Sequence, residues 1–373
     1  MPLSRRDLLR RAVASAALGA AFPALEEAAA AAAEPGIVRL DKNESAYGPS
    51  PKAIEAIRSG IMLANRYPDW QYETLAEHIA RFHSIKPSQV ILGAGSREVL
   101  RMAMAAYLPG GKRLVAASPT FEGLAAIAVQ LGVAATVSIP LTKHYAHDLD
   151  AMLFSANAET GLVYICNPND PTGGITPRKD IETFLKKLPP TVAVIIDEAF
   201  HEYVGGTSEY ASFIDHPVDD DRVIVMRTFS KIYGLAGLRM GYGVSSAQRA
   251  KALLATRPLW SVNAIATRAA AVALEDQDYV RECAKRNTDD RQELYNQINA
   301  RMLRGIDSLT NFVMMKTGLP GQQVLEHFRK HNMILGPPVP QMDKHVRVTI
   351  GTTEEMQEFW RVWRLLPPAP MAM

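Results

Sequence analysis

Between residues 88 and 263 short apolar runs alternate with amphipathic stretches. The runs Gly161–Cys166, Thr191–Ile196 and Arg222–Met226 are almost wholly apolar, the pattern of strands covered on both faces. Residues 97–107 and 177–188 instead place their apolar side chains at helical spacing. That alternation predicts an α/β fold, a mostly parallel sheet flanked by helices. Helical periodicity also covers 51–63 and 72–82, and Pro87 opens the next connection. The pattern changes at Ala264. A helix over 264–275 leads into a long charged helix over about 277–304, and strand-like 311–317 and 345–351 flank a helix at 321–332. A last helix spans 353–365, and Pro367 ends the order. The resulting organisation is an arm at 34–50, a large domain at 51–263 and a smaller α+β domain at 264–373.

The ends of the apolar runs carry the chemistry. After Arg222–Met226 comes Thr228-Phe229-Ser230-Lys231-Ile232-Tyr233-Gly234, with Arg239 eight residues beyond Lys231. A lysine in a glycine-bearing loop can form a Schiff base with an aldehyde, and Ser230 and Arg239 can hold a phosphate beside it. The cofactor with both groups is pyridoxal 5'-phosphate. Thr191–Ile196 ends in Asp197, and a carboxylate at the end of a buried strand needs a cationic partner. A pyridinium nitrogen is such a partner. Gly161–Cys166 runs into Asn167-Pro168-Asn169-Asp170-Pro171-Thr172-Gly173-Gly174, whose prolines and glycines force a turn where open α/β sheets place ligands.

Net charge is +2 with both signs interspersed, and no basic stripe carries interleaved aromatics, so nucleic acid is not an expected partner. Cys166 and Cys283 belong to no Cys/His cluster, so no metal is expected. Cys166 ends a buried strand and Cys283 lies on a distant charged helix, which speaks against a disulfide between them. Residues 1–33 read as an export leader. Arg5-Arg6 precede a weakly apolar stretch from Ala12 to Leu25 and an alanine-rich run, matching a twin-arginine signal. That stretch is shorter than the roughly 20 residues of a spanning helix, so a periplasmic protein with no membrane span after signal removal is expected.

Taken with Asn43-Glu44, Tyr47-Gly48-Pro49, Asn65-Arg66-Tyr67-Pro68, Gly93-Ala94-Gly95-Ser96-Arg97, Pro119-Thr120-Phe121, Asn311-Phe312 and Arg347-Val348-Thr349, these segments resemble the fold-type I pyridoxal-phosphate enzymes. Within them the chain is similar to the class I/II aminotransferases, and to the histidinol-phosphate aminotransferase family in particular. The resemblance covers the whole chain after the leader. It implies transfer of the amino group of an α-amino acid to a 2-oxo acid by a homodimer with shared active sites. It implies that Lys231 is the Schiff-base lysine and moves the proton, and that Asp197 pairs with the pyridinium. Ser96, Arg97, Ser230 and Arg239 would bind the phosphate, and Phe121 would stack on the ring. Tyr67 would reach the phosphate of the neighbouring subunit. Arg347 would grip the substrate carboxylate, with Asn311, Asn43 and Tyr47 beside it.

Three positions depart from the family pattern. Asp170 stands where asparagine usually donates to the cofactor's phenolic oxygen, and Phe200 where tyrosine does so. Tyr203 is the candidate substitute donor. Ile334-Leu335 is followed by Gly336-Pro337-Pro338 rather than by the arginine that grips a substrate phosphate, so histidinol phosphate is not the expected substrate. Because fold does not fix reaction, a lyase, decarboxylase, racemase or oxidase on the same scaffold is the rival reading, and a non-catalytic cofactor-binding protein is the third.

Overall fold

The computed structural model describes residues 36–133 and 135–367. The twin-arginine reading of residues 1–33 lies outside them. Twelve strands occur among the described residues: β1 (Val38–Leu40), β2 (Val90–Gly93), β3 (Arg113–Ser118), β4 (Thr136–Pro140), β5 (Thr160–Cys166), β6 (Ala193–Asp197), β7 (Val223–Thr228), β8 (Gly241–Val244), β9 (Arg304–Gly305), β10 (Phe312–Lys316), β11 (Met333–Leu335) and β12 (His345–Thr349). Seven of them form the central sheet in the order β2-β8-β7-β6-β5-β3-β4. All pairs are parallel except those made by β8, which runs against both β2 and β7.

Every residue of β5, β6 and β7 is buried. Alternation along the pleat sends Val163, Ile165, Val194 and Ile196 into the core on one face, and Leu162, Tyr164, Ala193 and Ile195 into the core on the other. With helices on both faces, strands lose the polar half of their pattern, which is why the sequence shows continuous apolar runs. In register, Cys166 pairs with Asp197 and Asp197 with Met226. The carboxyl ends of three parallel strands therefore stop together. Because β8 is reversed, Gly241 pairs with both Thr228 and Gly93, which brings the Gly93–Ser96 turn to the same edge.

Helix boundaries follow local signals. Ser50 accepts from the Ala53 N–H and Pro51 opens the helix Pro51–Gly60. Asn263 does the same for Ala264–Glu275 through the Ala266 N–H, and a reciprocal Thr352/Glu355 capping box starts Thr353–Trp363. The expected helices at 97–107, 177–188, 264–275, 321–332 and 353–365 form within a few residues of those limits.

One assignment changes. The helix Ala264–Glu275, expected in the small domain, buries Ala266, Ala269, Ala270, Ala273 and Leu274 in the same core as Ala53, Leu75 and Ile79. Its alanine face allows close approach to Pro51–Gly60 and Asp69–Phe82, so it packs with the large domain, and the C-terminal unit begins at Gln277–Ala300. The arm contributes β1, which pairs in parallel with β11. The C-terminal unit is otherwise the antiparallel sheet β12-β10-β9 with the helices Gly321–Lys330 and Thr353–Trp363 over it.

Candidate active site

A cavity of about 470 Å³ opens at the edge where β5, β6 and β7 end. Asn43, Ser96, Arg97, Phe121, Asp170, Asp197, Ser230, Lys231, Arg239 and Arg347 all line it. Segments scattered from the arm to the last strand thus converge on one space.

Lys231 extends from the loop after β7, and its Nζ donates to the carbonyls of Lys42 (2.9 Å) and Asn43 (3.0 Å) in the arm. The Phe200 ring lies 5.2 Å from that nitrogen. Burial lowers the Lys231 pKa to about 8; the Asp170 charge opposes this, and the charges of Arg347 and Arg97 add to it. An amine with that pKa is substantially neutral, hence nucleophilic, a little above neutral pH.

Asp197 ends β6 and is buried. Burial pushes its carboxyl up to about 6, while hydrogen bonds from the Tyr164 hydroxyl (2.7 Å) and the Ala199 N–H (3.1 Å) pull it back down. Tyr164 sits one strand over on the same face of the sheet, diagonal to Asp197. Its role was missed because the run Gly161–Cys166 reads as uniformly apolar. The available signal was that a buried tyrosine hydroxyl needs a partner.

The third part is a cationic cradle. Gly95 precedes the 12-residue helix Ser96–Tyr107 with φ +83°, and a Cβ there would strike the Arg239 guanidinium. Arg239 itself takes a left-handed backbone, and its Nη1 donates to the Ala236 carbonyl (2.7 Å) and approaches Ser230 Oγ (3.4 Å). Burial, then the nearby Arg97 charge, lowers its pKa. Among the described residues no carboxylate pairs with Arg97 or Arg239. Two guanidinium groups and a helix N-terminus facing one space leave room for a dianion such as a phosphate.

Arg347, on β12, donates through Nη1 to Asp170 and through Nη2 to the Asp41 carbonyl (2.7 Å). Asn43 Nδ2 donates to the other Asp170 oxygen (3.1 Å), and the Thr349 hydroxyl donates to Asn43 Oδ1 (3.1 Å).

Two residues expected in this cavity and one substitute lie elsewhere, and Tyr67, expected to reach the neighbouring subunit, lies on the surface. Asn311 is buried behind the cavity and holds the arm through the Glu44 carbonyl (2.9 Å). Tyr47 points its hydroxyl at Asp290 under the Arg286 guanidinium, because both residues lie on the long helix against which the arm packs. Tyr67 is 71% exposed on the outer surface beside Trp260, with ring centroids 5.1 Å apart. Tyr203 is buried and does not line the cavity. Lys42 and Glu44 line it without having been singled out, since nothing local distinguishes an arm carbonyl or carboxylate that faces a site.

This constellation is that of a pyridoxal-phosphate enzyme of the aminotransferase type. The sequence profile described as aminotransferase class I and II matches residues 35–362, and the chain belongs to that family. It is 38% identical to histidinol-phosphate aminotransferase 2 of Carboxydothermus hydrogenoformans over 333 residues, covering 87% of this chain and 91% of the relative. It is 36% identical to histidinol-phosphate aminotransferase 1 of Nitrosococcus oceani, covering 88% of each. The histidinol-phosphate aminotransferase of Sinorhizobium meliloti, solved in complex with pyridoxal-5'-phosphate, superposes with a TM-score of 0.82 at 28% identity, covering 88% of this chain and 92% of the other. The expected fold, enzyme class and cofactor therefore hold. The relatives' names run against the expectation that histidinol phosphate is not the substrate.

Proposed function

We propose that this protein is a transaminase that moves the amino group of a donor amine to a 2-oxo acid. The observation that carries it is the meeting of Lys231 Nζ, the Asp197 carboxylate and the Arg97/Arg239 cradle in one cavity. The residues fit the cofactor. The cradle of Gly95, Ser96, Arg97, Ser230 and Arg239 takes its phosphate, Asp197 its pyridinium nitrogen, and Phe121 its ring. When bound, pyridoxal phosphate supplies the electron sink that makes the bonds at the donor's amino carbon labile. With the cofactor in place, the neutral Lys231 amine would be the covalent anchor and the proton carrier at that carbon, and Asp197 would keep the ring nitrogen protonated. Tyr164 holds Asp197 in place, and the arm is hydrogen bonded to Lys231 through the Lys42 and Asn43 carbonyls.

The name shared by the relatives makes histidinol phosphate the first donor to test. Against it stands the end of β11. Gly336 there lies flush on Arg347, where an added Cβ would meet Arg347 Nε at 2.9 Å, and no arginine follows. The protein is further proposed to be a homodimer, joined through the exposed Tyr67/Trp260 surface, and to reach the periplasm through its twin-arginine leader. No helix among the described residues is long and apolar enough to cross a membrane.

The purified, cofactor-loaded protein is mixed with one donor at a time in the absence of any acceptor. Transamination converts the bound cofactor to its amino form, and a 2-oxo acid restores it; Lys231→Ala removes both changes while leaving the fold intact. Release of carbon dioxide or ammonia without the amino form would place the protein among the lyases instead.

A further inference from the structure

Arg347 lines the cavity with Lys231, and its charge is already matched. Both oxygens of Asp170 are committed, one to Arg347 Nη1 and one to Asn43 Nδ2. Asn43 is fixed in turn: its backbone N–H donates to Thr349 Oγ1 (3.0 Å) and its Oδ1 accepts from the same hydroxyl. The guanidinium is also fixed. Its Nη2 is capped by the Asp41 carbonyl, its stem is backed by Gly336, and Phe312 lies under it with the ring centroid 5.6 Å away. Neither partner is exposed: Arg347 and Asp170 keep 5% and 8% of their surface. This is a built ion pair inside the site.

Such a pair changes what Arg347 can recognise. An isolated guanidinium grips a carboxylate with two hydrogen bonds. Here a resident carboxylate occupies one arm and a carbonyl the other. An incoming anion must displace Asp170, stranding a buried charge, or sit beside it against like-charge repulsion. A hydroxymethyl group or a hydrogen on the donor's amino carbon meets neither penalty, and the hydroxymethyl can donate to the remaining acceptor capacity of Asp170.

We infer that Asp170 is a specificity-determining residue that occupies the carboxylate-binding arginine from within, so that the site favours amine donors whose amino carbon bears an uncharged group over α-amino acids and other anionic donors. This rests on the reading of the cavity as a transamination site. A 2-oxo acid acceptor meets the same resident charge and is expected to bind weakly in the wild type.

The test uses donors that share a side chain and differ only at the amino carbon. These are histidine, histidinol phosphate and histidinol (carboxylate, phosphate ester and hydroxymethyl), with phenylalanine and phenylalaninol as a second set. Cofactor-loaded wild type is expected to convert the hydroxymethyl donors with kcat/KM at least about 10-fold above the anionic ones. Asp170→Asn leaves Arg347 uncompensated, and the ratio is expected to swing toward the anionic donors by about 100-fold. In parallel, calorimetry measures the non-reacting pair 3-phenylpropionate and 3-phenylpropan-1-ol. The variant should gain affinity for the carboxylate and not for the alcohol. A wild type that prefers the amino acid, or a variant whose calorimetric ratio does not move, overturns the inference. If no donor is transaminated at all, the functional reading fails separately, and the calorimetric ratio still decides the role of Asp170.

Discussion

At the scale of single residues, the groups that were legible are those whose chemistry is costly unless used. A carboxylate at the end of a wholly apolar run, as at Asp197, has no cheap structural role, and the structure shows the cost in its raised pKa. The sign has a consequence for stability. A carboxyl whose folded pKa is raised from 3.8 to about 6 contributes most favourably below its unfolded value, and that contribution is lost as pH rises through about 6. By pH 7.5 the buried charge costs the cofactor-free protein on the order of 3 kcal/mol. Asp197→Asn should therefore raise the melting temperature of the cofactor-free protein at pH 7.5, with a smaller gain at pH 5, while weakening cofactor affinity at least about 10-fold. Calorimetric scans with and without cofactor check both halves. A variant destabilised without cofactor would mean that the carboxylate holds the strand end rather than waiting for a cation. Tyr164 was not legible in the same way, because its partner lies 33 residues away and only the register of β5 against β6 places it.

At the scale of elements, the apolar runs announced their strands, and periodicity announced most helices. What periodicity could not show was allegiance. The alanine face of Ala264–Glu275 suits close packing anywhere, and only the shape of the neighbouring helices assigns it to the large domain. Nor could three residues of arm, Val38–Leu40, declare a pairing with a strand nearly 300 positions on. The turn into the helix Ser96–Tyr107 is more informative. Gly95 combines φ +83° with ψ 160°, a region essentially reserved for glycine, and the space its Cβ would fill holds the Arg239 guanidinium. Gly95→Ala should cost about 1–3 kcal/mol of backbone strain. It should also push Arg239 out of the cradle, raising the dissociation constant for pyridoxal phosphate by at least about 10-fold as the charge-assisted contacts to its phosphate are lost. Fluorescence titration of the cofactor-free variant reads this directly. Unchanged affinity would remove the Gly95–Arg239 contact from cofactor binding.

At the scale of the whole molecule, Tyr67 and Trp260 are large aromatics, 71% and 57% exposed, that touch each other on one surface, with Met62 and Leu259 also exposed nearby in sequence. Aromatics are enriched in interfaces, and a two-fold contact is the commonest way to cover such a patch. Tyr67→Asp combined with Trp260→Asp should yield a monomer by sedimentation and lower cofactor affinity. A double variant that remains dimeric would locate the interface elsewhere. For the proposed leader, replacing Arg5 and Arg6 with lysines should leave the protein in the cytosol, measured by fractionation, because on that proposal the paired arginines are the routing signal. Undiminished periplasmic activity would refute that address.

The sequence by itself determined the sheet, the helix limits and the cofactor, because these depend on local periodicity and on residue types with few alternative uses. Only the tertiary structure decided which of the expected site residues reach the cavity. Tyr47 and Asn311 are drawn off to hold the arm, while Asp170 lines the cavity and accepts from Arg347 and Asn43. Those outcomes turn on hydrogen-bond competition between segments 127 to 267 residues apart in sequence. A carboxylate takes the strongest donor within reach, and which donor that is depends on how the chain is folded, not on what stands next to it.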